Sequence, residues 1–203
     1  MNQIRFDNTS ITPSKVVCVG RNYVEHIHEL GNEIPSSMVL FNKPNSAITD
    51  QLFYFDEACR FEGEICFSIQ GGEIAGIGFG LDLTHADIQN RMKEKGLPWE
   101  RAKAFDGSAV LSAFVPFDPA EMEKLSMKLF RNGELAQYAT YDLMIYKPDE
   151  IVREISSFMT LEDGDIIMSG TPKGVSTYAR GDHFAAQLLL EESIVLECEF
   201  TAL

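Results

Sequence analysis

The stretch RFEGEICFSI, residues 60–69, decides how the chain is read. Phe61, Ile65, Phe67 and Ile69 are β-formers that alternate with period two from Ile65 onward, so the segment reads as a strand. Glu62 and Glu64 stand two positions apart in it, and residues i and i+2 of a strand project to the same face. Two explanations compete for this pair. The solvated face of a half-buried antiparallel strand carries glutamate freely. Alternatively, a cation sits between them, because close carboxylates repel and hard divalent ions such as Mg2+ take oxygen ligands.

Outward from this stretch, strand-like runs dominate: KVVCV at 15–19, MVLFN at 38–42, IAGIGFGLDL at 74–83, SMKLFRNGELAQY at 126–138, DIIMSG at 165–170, HFAAQLLLE at 183–191 and SIVLECEF at 193–200. Asn132-Gly133 between two alternating runs is a strong hairpin signal, and Gln70-Gly71-Gly72-Glu73 offers a second short turn. Helices are few. Thr84 reads as an N-cap with Asp87 in the first turn of ADIQNRMKEK, and Gly96 as its stop. Pro148 opens PDEIVREISSFM, whose acidic first turn suits the helix dipole. A third helix is expected over NYVEHIHEL, stopped by Gly31. Many strands and few helices, without βαβ alternation, predict a mainly β fold with peripheral helices, of the α+β class.

The chain of 203 residues is expected to form one domain over 1–203 with a sizeable core. A net charge of −14 argues against nucleic acid or an anionic membrane surface as a partner, and means that an anionic substrate needs local positive charge. The sequence has no apolar run near the ~20 residues of a membrane span. MNQIRFDNTSI lacks the pattern of a signal peptide. Cys18, Cys59, Cys66 and Cys198 show no CxxC spacing and read as thiols of a reducing compartment, the cytoplasm being the expected location.

Several residues carry candidate chemistry. Asp82 closes a Gly-rich apolar strand and reads either as a further helix cap or as a third carboxylate for the Glu62/Glu64 pair, since adjacent strands lie ~4.8 Å apart. Three protein oxygens leave room for waters and a chelating substrate, the usual way of holding Mg2+. On a helix, His26 and Glu29 share a face; a carboxylate beside an imidazole sets its tautomer and raises its basicity, although a surface helix carries such pairs incidentally. His28 points elsewhere and reads as structural. GTPKGV at 170–175 offers backbone N–H groups to an anion without matching a P-loop. Lys103, in the aromatic-flanked WERAKAFDGS, reads as a positioned cation.

Taken together, VGRNYVEHIHE, VLFNKPNSAI, E-G-E, LDLTHADIQ, KGLPWERAKAFD, NGELAQ and LEDGDIIMSGTPKGV resemble the fumarylacetoacetate hydrolase family, in order from Val17 to about Phe200. The similarity is greatest to its small single-domain members, of the acylpyruvate hydrolase and oxaloacetate decarboxylase type. The resemblance implies a homodimer-forming mixed β-roll that binds Mg2+ or Mn2+ through Glu62, Glu64 and Asp82. It implies a lid over residues 20–35 whose catalytic dyad is His26 and Glu29, an active-site Lys103, and a turn at Gly170 and Thr171 for the substrate carboxylate. Arg21 and Gln89 fall on substrate-side motif positions; Asn22 and Lys43 match motifs without a distinct role.

The implied activity is metal-dependent C–C cleavage in short 2-oxo acids: acylpyruvate hydrolysis, or oxaloacetate decarboxylation through the same enolate. Sister branches act as isomerases or decarboxylases of unsaturated 2-oxo dicarboxylates, and a binding protein without turnover is the further alternative. The chain departs from the family pattern in four places. Ala86 stands where T-x-R-D members have arginine, which predicts a preference for neutral-tailed acylpyruvates over dicarboxylates. The connection from Glu64 to Asp82 is short, Arg60-Phe61 replaces a usual histidine, and Tyr141-Asp142 follows Gln137 where small hydroxyl residues are common.

Overall fold

The computed structural model describes residues 1–29 and 37–203. Gly31 as a helix stop, and the later part of the lid expected over 20–35, lie outside the described residues. RFEGEICFSI is extended as its alternation predicts, but it serves two sheets. Cys59–Phe61 belongs to a three-stranded sheet with Thr84–His85 and Ser176–Thr177, and Gly63–Gln70 to a mixed eight-stranded one. Glu62 sits at the joint between them.

Gly63–Gln70 pairs antiparallel with Glu73–Asp82 through the short turn at Gly71 and Gly72, both at positive φ, as the sequence predicts. On its other side lies Ile166–Met168, antiparallel to it and parallel to Lys15–Gly20, which pairs with Val39–Pro44. Ala109–Leu111 flanks Glu73–Asp82 and runs parallel to Ile48–Thr49. An antiparallel four-stranded sheet orders Glu134–Thr140, Leu125–Arg131, His183–Leu190 and Ser193–Thr201, with the predicted hairpin at Asn132-Gly133.

This sheet sandwich excludes the solvated-face reading of the glutamates. Gly63–Gln70 is buried along its whole length except at Gln70. Alternation divides it between two cores. Ile65, Phe67 and Ile69 join Met127, Leu129, Phe184 and Leu188 of the second sheet, whereas Cys66 faces Cys18, Leu111, Phe114 and Met168. The glycines of the neighbouring strand follow from this second core. A Cβ at Gly78 would lie 2.8 Å from the Phe114 ring, and one at Gly80 would lie 2.8 Å from Cys66 Sγ. Any side chain there would overpack the layer.

The helices are α1 (Val24–Glu29), α2 (Ala86–Glu94), α3 (Glu100–Lys103) and α4 (Pro148–Ser156). α4 begins at its proline, and Glu150 accepts a hydrogen bond from the Lys147 N–H at 2.9 Å. α2 corrects one expectation: its N-cap is His85, with no side-chain cap bond, because Thr84 is already paired in a strand and its hydroxyl donates to Glu62. Gly96 follows the helix at positive φ. All four cysteines are free thiols, and among the described residues no helix is long and apolar enough to cross a membrane.

The end of DIIMSG is tied down by Asp165, which is fully buried. It accepts hydrogen bonds from the N–H groups of Ser14, Lys15 and Glu162 and from the Ser14 hydroxyl, and pairs with the Lys15 ammonium. Burial pushes its carboxyl up, but these donors outweigh burial and hold it below the ordinary aspartate range. Asp165→Ala should therefore destabilise the fold by about 3 kcal/mol or more, since several buried donors lose their acceptor. The sign with pH follows from the depressed value. The stabilisation is complete above the unfolded carboxylate value of about 4 and fades as pH falls through the folded one. Urea midpoints of wild type and Asp165→Asn should converge on acidification.

Candidate active site

The register of the central hairpin builds the site. The Asp82 N–H donates to the Glu62 carbonyl at 2.8 Å, which brings the end of one strand against the joint of the other. Carboxylate oxygens of Glu62, Glu64 and Asp82 thereby lie within 4.8 Å of one another. Glu64 and Asp82 are 2% and 1% exposed, deep enough that water cannot screen their repulsion.

Protein groups offset part of this charge. Lys103 Nζ bridges Glu62 Oε2 at 2.9 Å and Asp82 Oδ2 at 2.6 Å. Lys43, fully buried, places its Nζ 2.8 Å from Asp82 Oδ1 and donates to the Lys103 carbonyl. The Gly170 N–H donates to Glu64 Oε2 at 2.7 Å, and the Thr84 hydroxyl to Glu62 Oε1 at 3.1 Å. Three carboxylates thus face two ammonium groups. Burial, followed by Asp82 and Glu62, pushes the Glu64 carboxyl well above its ordinary value. For Glu62, burial is outweighed by Lys103 and then His26, so its carboxyl lies below the usual range. Burial alone would depress Lys103, but Asp82 and Glu62 raise it and keep it charged.

Asp82 Oδ1 is buried and, despite the nearby Lys43, makes no hydrogen bond of acceptable geometry. An unsatisfied carboxylate oxygen beside two further carboxylates is a donor set for a hard divalent ion. The residues therefore fit Mg2+ or Mn2+, with an all-oxygen set and a net negative charge that an ion would balance.

α1 brings His26 to the same cavity. His26 is buried, and its Nδ1 lies 3.3 Å from Glu29 Oε2. The Gly174 N–H donates to both oxygens of Glu29, at 3.1 and 3.2 Å, and Lys173 pairs with Glu25 at 3.0 Å. The 170–175 turn thus does offer N–H groups to anions, but those of Gly170 and Gly174 go to the chain's own Glu64 and Glu29. Gly174 must be glycine: a Cβ would fall 2.1 Å from the Ala136 carbonyl oxygen, and φ is +101°. Thr171 lines the cavity while its hydroxyl donates to the Gly63 carbonyl at 3.0 Å and accepts from Gln137 Nε2 at 2.8 Å. His28 is exposed on the other side of α1.

The fumarylacetoacetate hydrolase C-terminal family model matches residues 15–203. The chain belongs to this family. It is 38% identical over 187 residues to oxaloacetate tautomerase YcgM of Escherichia coli, covering 83% of this chain and 85% of that protein. It is 37% identical over 188 residues to the human mitochondrial oxaloacetate tautomerase FAHD1, covering 84% and 85%. Among solved structures, the fumarylpyruvate hydrolase from Pseudomonas aeruginosa in complex with Mn2+ and pyruvate superposes with a TM-score of 0.88 at 27% identity, covering 100% of this chain and 95% of that one. The mainly β class that the strand pattern predicts and the mixed sheet that the family resemblance implies are both present.

Within this fumarylacetoacetate hydrolase site, the further side chains that line the cavity among the described residues include Arg21, Phe41, Gln89, Lys93 and Trp99. Arg21 adopts a left-handed backbone, φ +59°, at the cavity edge. Ala86 is buried, and the adjacent His85 does not stand in for the family arginine. Its ring stacks on Phe105 at 4.2 Å and its Nδ1 lies 3.0 Å from Asp56. Sequence reasoning assigned no role to Lys43 and passed over Phe41, Lys93 and Trp99. A signal for Lys93 was available, since it follows Gln89 by one helical turn and so shares its face.

Proposed function

We propose that this chain is a divalent-metal-dependent enzyme of short 2-oxo acids that works through an enolate. The observation that carries the reading is the buried Glu62/Glu64/Asp82 cluster opening on a cavity that also holds Lys103 and His26. Glu62, Glu64 and Asp82 would hold Mg2+ or Mn2+. The bound ion would supply Lewis acidity to the 2-oxo and 1-carboxylate oxygens of a substrate. Lys103, fixed by two carboxylates, keeps one N–H for the oxygen that becomes negative, in surroundings where that contact counts most. Glu29 accepts the Nδ1 proton of His26, which leaves Nε2 as the free base. Arg21, Gln89 and Thr171 position the substrate, while Gly170 acts through Glu64.

The first reaction proposed is keto–enol proton transfer at C3 by His26, the reading favoured by the relatives at 38% and 37% identity. C–C cleavage is the second, favoured by the likeness to a fumarylpyruvate hydrolase. There His26 would instead take a proton from water attacking the distal carbonyl, and decarboxylation would need no base. The assembly proposed is a homodimer in the cytoplasm, which sedimentation and fractionation would test. The deciding assay is a panel of oxaloacetate, acetylpyruvate and fumarylpyruvate with Mg2+ or Mn2+, following enol absorbance and pyruvate release. Metal-dependent turnover of at least one is expected; loss of both signals across the panel would overturn the proposal.

A further inference from the structure

One wall of the cavity is an aromatic ladder with a cation at each end. Lys103 Nζ lies 5.2 Å from the Phe41 ring centre, Phe41 packs against Trp99 at 5.9 Å, and Lys93 Nζ lies 5.4 Å from the Trp99 ring. The inner cation is committed to Glu62 and Asp82. The outer one is not: among the described residues, no carboxylate lies within ion-pair distance of Lys93. Lys93 also lines the same cavity as Arg21 and Gln89, so two cationic side chains and an amide converge on an opening whose floor is acidic.

We infer that Lys93 is the specificity residue that receives the second carboxylate of a dicarboxylic 2-oxo acid, in place of the arginine missing at Ala86. The inference rests on the 2-oxo acid reading above. Ala86, Gln89 and Lys93 are spaced i, i+3 and i+7 on α2, so they follow one face, and a flexible cation two turns on can serve the same opening. Lysine carries a compact charge on a flexible four-carbon stem, long enough to swing over the opening. Trp99 restricts its travel by cation–π contact. Burial first, and then the charge of Arg21, lower the Lys93 ammonium from its ordinary value against the opposing charge of Glu62, and an anion beside it would favour the charged form. The preference that Ala86 alone implies is thereby reversed, and dicarboxylates such as oxaloacetate become the favoured class.

The test compares oxaloacetate and pyruvate, which share the 2-oxo acid head and differ in the second carboxylate. Calorimetric binding of each to the Mn2+-loaded protein should show oxaloacetate binding at least tenfold tighter. Lys93→Met should weaken oxaloacetate by about tenfold to a hundredfold, the loss expected for one charge-assisted hydrogen bond, and pyruvate by less than about threefold. Lys93→Arg should restore most of the difference, and a thermal melt confirms that both variants fold. Equal weakening of the two ligands, or no weakening in Lys93→Met, would overturn the role of Lys93 while leaving the 2-oxo acid reading standing. Failure of both ligands to bind the loaded wild type would overturn the two readings together.

Discussion

Glu64→Gln should abolish the response of the protein to divalent ions. Wild type should gain thermal stability as Mn2+ is added, by mass action, reaching about 2.7 kcal/mol at a hundredfold excess over the dissociation constant. In the variant the curve should be flat, and metal-dependent turnover should fall by about a thousandfold or more, because a neutral amide oxygen replaces a buried carboxylate ligand. The same change should stabilise the metal-free protein. Glu64 is repelled by Asp82 and Glu62, and a glutamine oxygen can still accept the Gly170 N–H. Asp82→Ala is not an equivalent test. It strands Lys43 in the interior and leaves Lys103 with Glu62 alone, and an unpaired buried charge costs about 3–5 kcal/mol, so this variant should be strongly destabilised. Scanning calorimetry against Mn2+ concentration decides the matter. A Glu64→Gln protein with the wild-type Mn2+ response would show that the carboxylate cluster is not the metal site.

His26→Ala should lower kcat for the favoured substrate by at least the ~10²-fold typical of a lost general base. Its side chain is buried against the cavity and fixed by Glu29, so nothing else among the residues lining the cavity replaces its imidazole nitrogen. The Mn2+-dependent rise in melting temperature should persist, because His26 is outside the carboxylate set. Deuterium exchange at C3 of oxaloacetate separates the two proposed reactions. Loss of exchange identifies His26 as the base at carbon, whereas retained exchange with lost pyruvate release from acetylpyruvate identifies it as the base for water. A variant with wild-type rates in both assays would remove His26 from the mechanism.

Much of this site was legible in the chain because the chemistry is carried by spacing. Glu62 and Glu64 at i, i+2, a turn of four residues, and Asp82 at the end of the return strand place three carboxylates where they can meet, since strand geometry converts these offsets into distances, while burial was needed to exclude a solvated face. His26 and Glu29 at i, i+3 predict a pair for the same reason, and it is there at 3.3 Å. The ordered motifs pointed to the family for most of the length.

Other features depend on contacts between segments distant in sequence, which no local period encodes. Thr84 has the sequence of a helix cap, yet tertiary pairing placed it in a strand and turned its hydroxyl to Glu62. The Gly170 and Gly174 N–H groups read as a substrate nest until the fold delivered Glu64 and Glu29 to them. Lys43 becomes a counter-ion only because its strand passes beneath α3. The sequence by itself determined the strand pattern, the three carboxylates and the histidine–glutamate pair, because backbone geometry sets their mutual positions within a hairpin or one helical turn. The tertiary structure alone decided which buried cations and amides face those carboxylates, and that Lys93 rather than position 86 supplies a cation to the cavity wall, because each depends on how separate elements pack.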